Sequence, residues 1–300
     1  MLHCPTYLKQ GDKIALISTA RKVSMEEMEF GIAVLRSWGL EVIIGKTIGI
    51  ESDQYAGDDE QRAADFQYFL DRSDINGIIM ARGGYGTVRI LDKINFNTFV
   101  NNPKWIIGYS DYTYLFNYIN QYYGIQTLHA SMPINFKANT DFALKSLHDA
   151  LFGIPLQYEF EGEIINPLPT IEGEMLGGNL SILYAMLGTT NGMNFDHKIL
   201  FLEDVGEYYY HIDRMMMSFI QSNKLNNLKA LVVGGFTEMN DNTVPFGKSS
   251  QEIIAEHCSK FGYPIIFNAP FGHIDNNGAL KLGTDIKILI NNNLVRLTQN

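Results

Sequence analysis

The chain has 300 residues, 46% of them apolar, and a formal net charge of −10. That length suits two domains and that apolar share can fill their cores; without a Lys/Arg-rich run or a basic stripe with interleaved aromatics, a nucleic-acid partner is excluded, and the acidic balance argues against an anionic membrane. Two lone cysteines, Cys4 and Cys258, make neither a disulfide framework nor a Cys/His zinc cluster, so a reducing compartment fits. In chain order, residues 13–18 form an apolar run of strand length. Ser24-Met25-Glu26-Glu27 is a capping box opening a helix to about Trp38, stopped at Gly39. A strand follows over 40–44, and Asp58-Asp59-Glu60-Gln61 opens a helix to about Leu70. Residues 77–80 are a third strand, followed by the turn Arg82-Gly83-Gly84-Tyr85-Gly86 and a helix over 87–94. Residues 105–107 are a fourth strand. Its helix, 111–123, carries Leu115, Tyr118, Ile119 and Tyr122 at i, i+3, i+4 and i+7 and stops at Gly124. A fifth strand runs over 125–129. Apolar strands alternating with helices indicate a parallel sheet covered on both faces.

From about residue 137 the texture changes. One helix is expected over 143–151, and Pro155, Pro167 and Pro169 among acidic residues suggest a linker over 151–172 between an N-terminal domain, 1–150, and a C-terminal domain, 173–300. In the latter, 173–180 leads into a helix to about Leu187, and 198–202 is a strand ending at Glu203. A helix over 212–220 carries Met215, Met216 and Met217, read as packing. Strands at 230–233 and 265–267 flank a helix at 252–257, and 286–290 with 294–297 form a hairpin across Asn291-Asn292-Asn293. No apolar run approaches the roughly 18 residues that cross a bilayer. Met1-Leu2-His3-Cys4-Pro5 has neither a basic nor an apolar leader region, so a cytoplasmic protein is expected.

Several residues could do chemistry. Ser110, in Trp105-Ile106-Ile107-Gly108-Tyr109-Ser110-Asp111, falls where a strand hands over to a helix N-terminus. There it is either a nucleophile beside backbone donors or simply the cap of the helix. The Gly83-Gly84-Tyr85-Gly86 turn either lets backbone N–H groups approach a ligand or serves a tight connection. Its spacing is not the dinucleotide fingerprint, and Gly247-Lys248-Ser249 fails as a phosphate loop because position 242 is Asn. Glu203 at a strand's carboxyl end is a site residue or a helix anchor. His273, after the strand at 265–267, is a base or an ordinary loop histidine. Together Ser110, Glu203 and His273 could supply nucleophile, orienting carboxylate and general base. Their chain order matches α/β-hydrolases, but the G-x-S-x-G elbow is broken by Tyr112. The other histidines show no metal spacing.

In order along the chain, several segments are similar to the LD-carboxypeptidases, a family of serine peptidases. They are Gly11-Asp12-Lys13-Ile14-Ala15, the run Ala56 to Asp65, Arg82-Gly83-Gly84-Tyr85-Gly86 with Arg89, Gly108-Tyr109-Ser110-Asp111, Gly177-Gly178-Asn179-Leu180, Leu202-Glu203-Asp204-Val205-Gly206-Glu207 with Asp213-Arg214, and Phe271-Gly272-His273. The resemblance implies a triad of Ser110, His273 and Glu203 and an oxyanion hole from the backbone N–H groups of Gly84 and Asp111. It makes Gly83, Tyr85 and Arg214 candidates for substrate contact. It implies an α/β fold with a flavodoxin-like (amidotransferase-like) parallel-sheet N-terminal domain and a smaller, swivelling C-terminal α/β domain, in a homodimer without metal or other cofactor. The implied reaction removes the terminal D-alanine from cytoplasmic murein tetrapeptides during cell-wall recycling. Two departures flank the implied cleft: Ser18-Thr19-Ala20 where the family has Pro-Ser, and Leu280-Lys281-Leu282-Gly283 where it has Leu-Pro-x-Gly. The alternatives are the family's microcin C self-immunity branch, which cleaves peptidyl- or aminoacyl-nucleotide amides, and a non-catalytic binder of cell-wall peptides. Neither Trp38 nor Trp105 is placed to shelve a nucleobase, and the intact Ser110, Glu203 and His273 set argues against a binder.

Overall fold

A computed structural model describes residues 3–190 and 192–300; Met1 and Leu2, part of the N-terminal stretch read above, lie outside the described residues. The chain divides into two compact units, Met1–Ile154 with Asp275–Lys281, and Pro155–Ile274 with Leu282–Asn300.

The first unit runs β1 (Lys13–Ile17), α1 (Met25–Ser37), β2 (Glu41–Ile44), α2 (Asp59–Asp71), β3 (Gly77–Met80), α3 (Thr87–Ile90), α4 (Asn97–Asn101), β4 (Trp105–Gly108), α5 (Thr113–Tyr123), β5 (Thr127–His129) and α6 (Asp141–Leu151). Strands β2, β1, β3, β4 and β5 are neighbours in that order and pair in parallel. This is the flavodoxin-like order, in which ligands sit outside the strands' carboxyl ends. Ile14 to Ile17, Ile78 to Met80 and Trp105 to Ile107 are fully buried, as strands covered on both faces must be. The expected capping box is present, Ser24 with Glu27 opening α1, and a second, Asp58 with Gln61, opens α2. Gly124 ends α5 in the left-handed region, φ +62°. The helix expected over 87–94 is shorter. It gives way to a 3-10 turn, Leu91–Lys93, and its own N-cap residue, Gly86, has no side chain to cap it.

The second unit runs β6 (Leu156–Glu161), β7 (Ile164–Ile165), β8 (Thr170–Asn179), α7 (Leu180–Met186), β9 (Ile199–Val205), α8 (Tyr209–Gln221), β10 (Ala230–Thr237), α9 (Ser250–Cys258), β11 (Ile265–Ile266), β12 (Leu280–Leu282), β13 (Thr284–Asn291) and β14 (Leu294–Gln299), except that β12 lies in the first unit's sheet beside β5. Among the described residues that sheet therefore has six strands. The other has eight, ordered β6-β14-β13-β8-β9-β10-β11-β7. Its centre, β8 to β11, is parallel, and β13 and β14 form the expected hairpin. Where the prolines suggest a linker over 151–172, the chain forms β6 and β7 and enters β8. Leu156 and Tyr158 alternate buried against exposed Gln157 and Glu159, a period of two that the flanking acids and prolines mask in the sequence. Met215 and Met216 are fully buried packing residues, whereas Met217 is exposed. Among the described residues no helix is long and apolar enough to cross a membrane, and no cluster of His, Cys, Asp and Glu could hold a metal ion.

Candidate active site

In the first unit, β4 ends at Gly108, Tyr109 is extended, and Ser110 turns into the left-handed region at φ +66°. For a non-glycine residue this costs about 1–3 kcal/mol and persists only where the surroundings impose it. Three contacts do so. The fully buried Tyr112 donates its hydroxyl to the Arg82 carbonyl (2.8 Å). The buried Asp111 carboxylate accepts the Thr87 N–H (2.8 Å), and the Ala130 N–H donates to the Gly108 carbonyl (2.8 Å). The sharp strand-to-helix turn of a nucleophile elbow is therefore present although the second elbow glycine is not. Ser110 begins a 3-10 turn, Ser110–Tyr112, and the N-cap of α5 is Tyr112, so Ser110 is not the helix cap.

The glycine turn lies against this elbow. A Cβ on Gly83 would stand 3.0 Å from the Ser110 Cβ and 3.2 Å from its Oγ, so a side chain there would fit only if the serine gave way by a few tenths of an ångström. Gly84 has φ +115° and is exposed. The Asp111 side chain, which sequence reading passed over, caps the first turn of α3 and so ties Gly86 and Thr87 to the elbow. Burial raises its pKa, against the hydrogen bonds it accepts from Thr87 and Gly86. Tyr85, 47% exposed, leans on Tyr55 with ring centroids 6.3 Å apart.

In the second unit, Glu203 stands on β9, opposite Asn179 of β8 and fully buried. Its Oε2 accepts from the Nδ1 of His273 (2.5 Å) and from the His273 backbone N–H (3.2 Å). The loop carrying His273 is strapped to β10: the Gly235 N–H donates to the Phe271 carbonyl (2.9 Å) and the Thr237 hydroxyl to the His273 carbonyl (2.9 Å). Gly272, at φ +105°, makes the approach possible. A Cβ there would stand 2.6 Å from the Glu203 Cβ and 2.9 Å from Oε2. With a carboxylate on Nδ1, that nitrogen carries the proton and Nε2 is the basic one. Burial pushes the imidazole's pKa down, but the charge and hydrogen bond of Glu203, with Asp204 and Glu238 behind them, more than reverse it, and the net shift is upward.

The next residue, Asp204, is the helix anchor that the sequence left as one option for Glu203. It accepts from the Asn179 amide (2.8 Å), the Ser181 N–H (2.9 Å) and the Ser181 hydroxyl (2.7 Å), holding the start of α7. Burial and the neighbouring Glu203 charge raise its pKa to about 6. Glu207 pairs with the Nδ1 of His211 (2.5 Å), and its Oε1 lies 2.8 Å from the Ser181 hydroxyl oxygen. Arg214 is exposed on α8, with its guanidinium 5.6 Å from the Tyr210 ring centroid. The structure thus brings Ser110, Gly83, Gly84 and Asp111 together in one unit, and Glu203 with His273 in the other. Sequence reading missed Asp204 and Gly272; the signal for Gly272 was a glycine directly before the histidine.

Residues 14–130 match the model of the LD-carboxypeptidase N-terminal domain and residues 172–288 that of the C-terminal domain. The chain is 30% identical over 293 residues to a probable murein peptide carboxypeptidase of Bacillus subtilis, covering 93% of this chain and 89% of that protein. The crystal structure of muramoyltetrapeptide carboxypeptidase from Oxalobacter formigenes is 25% identical with a TM-score of 0.86, over 95% of this chain and 98% of that one. The microcin C7 self-immunity protein MccF, solved with aspartyl sulfamoyl adenosine, is 20% identical with a TM-score of 0.89, over 99% and 98% of the two chains, and shares the fold. The chain therefore belongs to the LD-carboxypeptidase family.

Proposed function

We propose that this serine carboxypeptidase removes the terminal D-alanine from murein tetrapeptides, with Ser110, His273 and Glu203 as its triad. The observation that carries the reading is the buried Glu203 carboxylate 2.5 Å from the His273 Nδ1, an arrangement that prepares Nε2 to take a proton. The Ser110 hydroxyl adds to the carbonyl preceding D-alanine as His273 takes its proton, and Glu203 stabilises the imidazolium. The N–H groups of Gly84 and Asp111 hold the oxyanion. The C–N bond breaks, His273 protonates the departing amine, and water then hydrolyses the acyl-Ser110 ester to release the shortened peptide. Gly83, Tyr85 and Arg214 line the substrate's path. Murein peptides as substrate are supported by the names of the Bacillus and Oxalobacter relatives. We place the enzyme in the cytoplasm, which two cysteines without a disulfide suit, and as a homodimer, which sedimentation at working concentration would test.

The test is hydrolysis of a murein tetrapeptide beside an aminoacyl sulfamoyl nucleoside, by wild type and Ser110→Ala. The tetrapeptide is the preferred substrate, and Ser110→Ala lowers kcat by about 10⁴-fold or more while losing labelling by a serine-directed phosphonate. Near-full turnover by that variant would overturn the triad, and preference for the nucleoside would overturn the substrate.

A further inference from the structure

A carboxypeptidase must tell a chain terminus from an internal peptide bond, and the group suited to a free carboxylate is a fixed cation, above all a guanidinium. Around the glycine turn of the first unit most cations are engaged. Arg89 pairs with Asp59 (2.7 Å), Arg62 is buried on the same carboxylate, Lys22 holds Glu51 (2.6 Å), and Arg82 faces Glu27 (3.8 Å). Arg21 has no carboxylate within 4.0 Å among the described residues, and it is exposed.

Its backbone is nonetheless held. The Ser18 hydroxyl donates to its carbonyl (2.6 Å), and Arg21 bridges to Tyr55. The hydroxyls of Thr19 and Thr87 meet at 2.9 Å, joining the loop after β1 to the start of α3. The Arg21 side chain lies across Gly84, where a Cβ would come within 2.2 Å of Cδ and 2.4 Å of Cγ. Gly84 is bare because of its positive φ, and the arginine stem rests on it. The neighbouring Gly83 touches Ser110. Through these contacts and ordinary bond lengths, the Arg21 Cδ lies within about 12 Å of the Ser110 Cβ. A terminal carboxylate sits about 4 Å beyond the scissile carbon, and a guanidinium reaches about 4 Å past Cδ, so the two can meet.

We infer that Arg21 binds the terminal carboxylate of the substrate and sets the preference for a free C-terminus. The inference rests on the carboxypeptidase reading above and adds the group that recognises the leaving residue. Its test compares the tetrapeptide acid with the same peptide as its C-terminal carboxamide, on wild type, Arg21→Ala and Arg21→Lys, with thermal melts of each. Wild type favours the acid. Arg21→Ala lowers kcat/KM for the acid about 100-fold, the scale of a lost charge-assisted hydrogen bond, leaves the carboxamide within about threefold, and melts like wild type. Arg21→Lys recovers part of the acid preference. An Arg21→Ala enzyme that keeps the full acid preference, or loses both substrates equally, overturns the assignment while leaving the triad standing. A wild type that cleaves neither peptide overturns both.

Discussion

Ser110 follows the carboxyl end of β4, and Glu203, expected to end its strand, stands two residues before the end of β9 with His273 on a loop beside it, yet different forces hold them. The serine is placed by backbone: a left-handed φ, a bare glycine turn against its side chain, and a carboxylate, Asp111, spent on a helix start rather than on chemistry. The histidine is placed by charge: a fully buried carboxylate draws in both its ring and its backbone N–H. A group held by backbone geometry does not respond to pH, whereas a group held by an ion pair titrates.

The largest effect expected in the second unit comes from Glu203→Gln. It keeps the shape but removes the charge and the fixed tautomer, and kcat falls about 10³–10⁴-fold. The same variant moves the acidic limb of the rate profile to lower pH, because the main contribution raising the His273 pKa is gone; an unmoved limb would show that the charge does not hold the base. Next come two glycine substitutions that separate the forces. Gly272→Ala drives a Cβ into Glu203 from a strained φ and costs about 2–3 kcal/mol of stability along with activity. Gly83→Ala meets the Ser110 side chain at 3.0 Å and lowers turnover about tenfold or more, with a melting temperature close to wild type. Equal loss of stability in both would erase the distinction. The smallest effect is a pH dependence of stability. The folded pKa of His273 lies above its unfolded value of about 6.5, so its contribution is complete below pH 6.5 and is lost as the pH climbs through the folded value. With His273 as the proposed base, activity moves the other way over the same window, because the imidazole must be neutral to accept a proton. Melting temperatures and kcat/KM measured across pH 5.5–8.5 should therefore cross in wild type, and the stability slope should vanish in Glu203→Gln.

The alternation of strands and helices, the capped start of α1, the opening of α2, the Gly124 stop of α5, the hairpin, and the three residues that could carry acyl transfer are all legible from the residues alone. Periodicity, caps and turn chemistry are local, and their signals lie within a few residues of one another. The sequence alone could not supply the elbow, because Tyr112 occupies the second glycine position and the strained φ of Ser110 is imposed from Arg82, Thr87 and Ala130, up to 28 residues away along the chain. Nor could it assign Glu203 and Asp204 between site and anchor: the two are adjacent in the chain but face opposite sides of a strand, and only their partners, His273 and Ser181, distinguish them. The strands at 156–161 and 164–165 and the return of 280–282 to the first sheet were hidden for the same reason. Short strands with acidic neighbours are stabilised by pairing partners remote in sequence, and pairing is a property of the folded sheet.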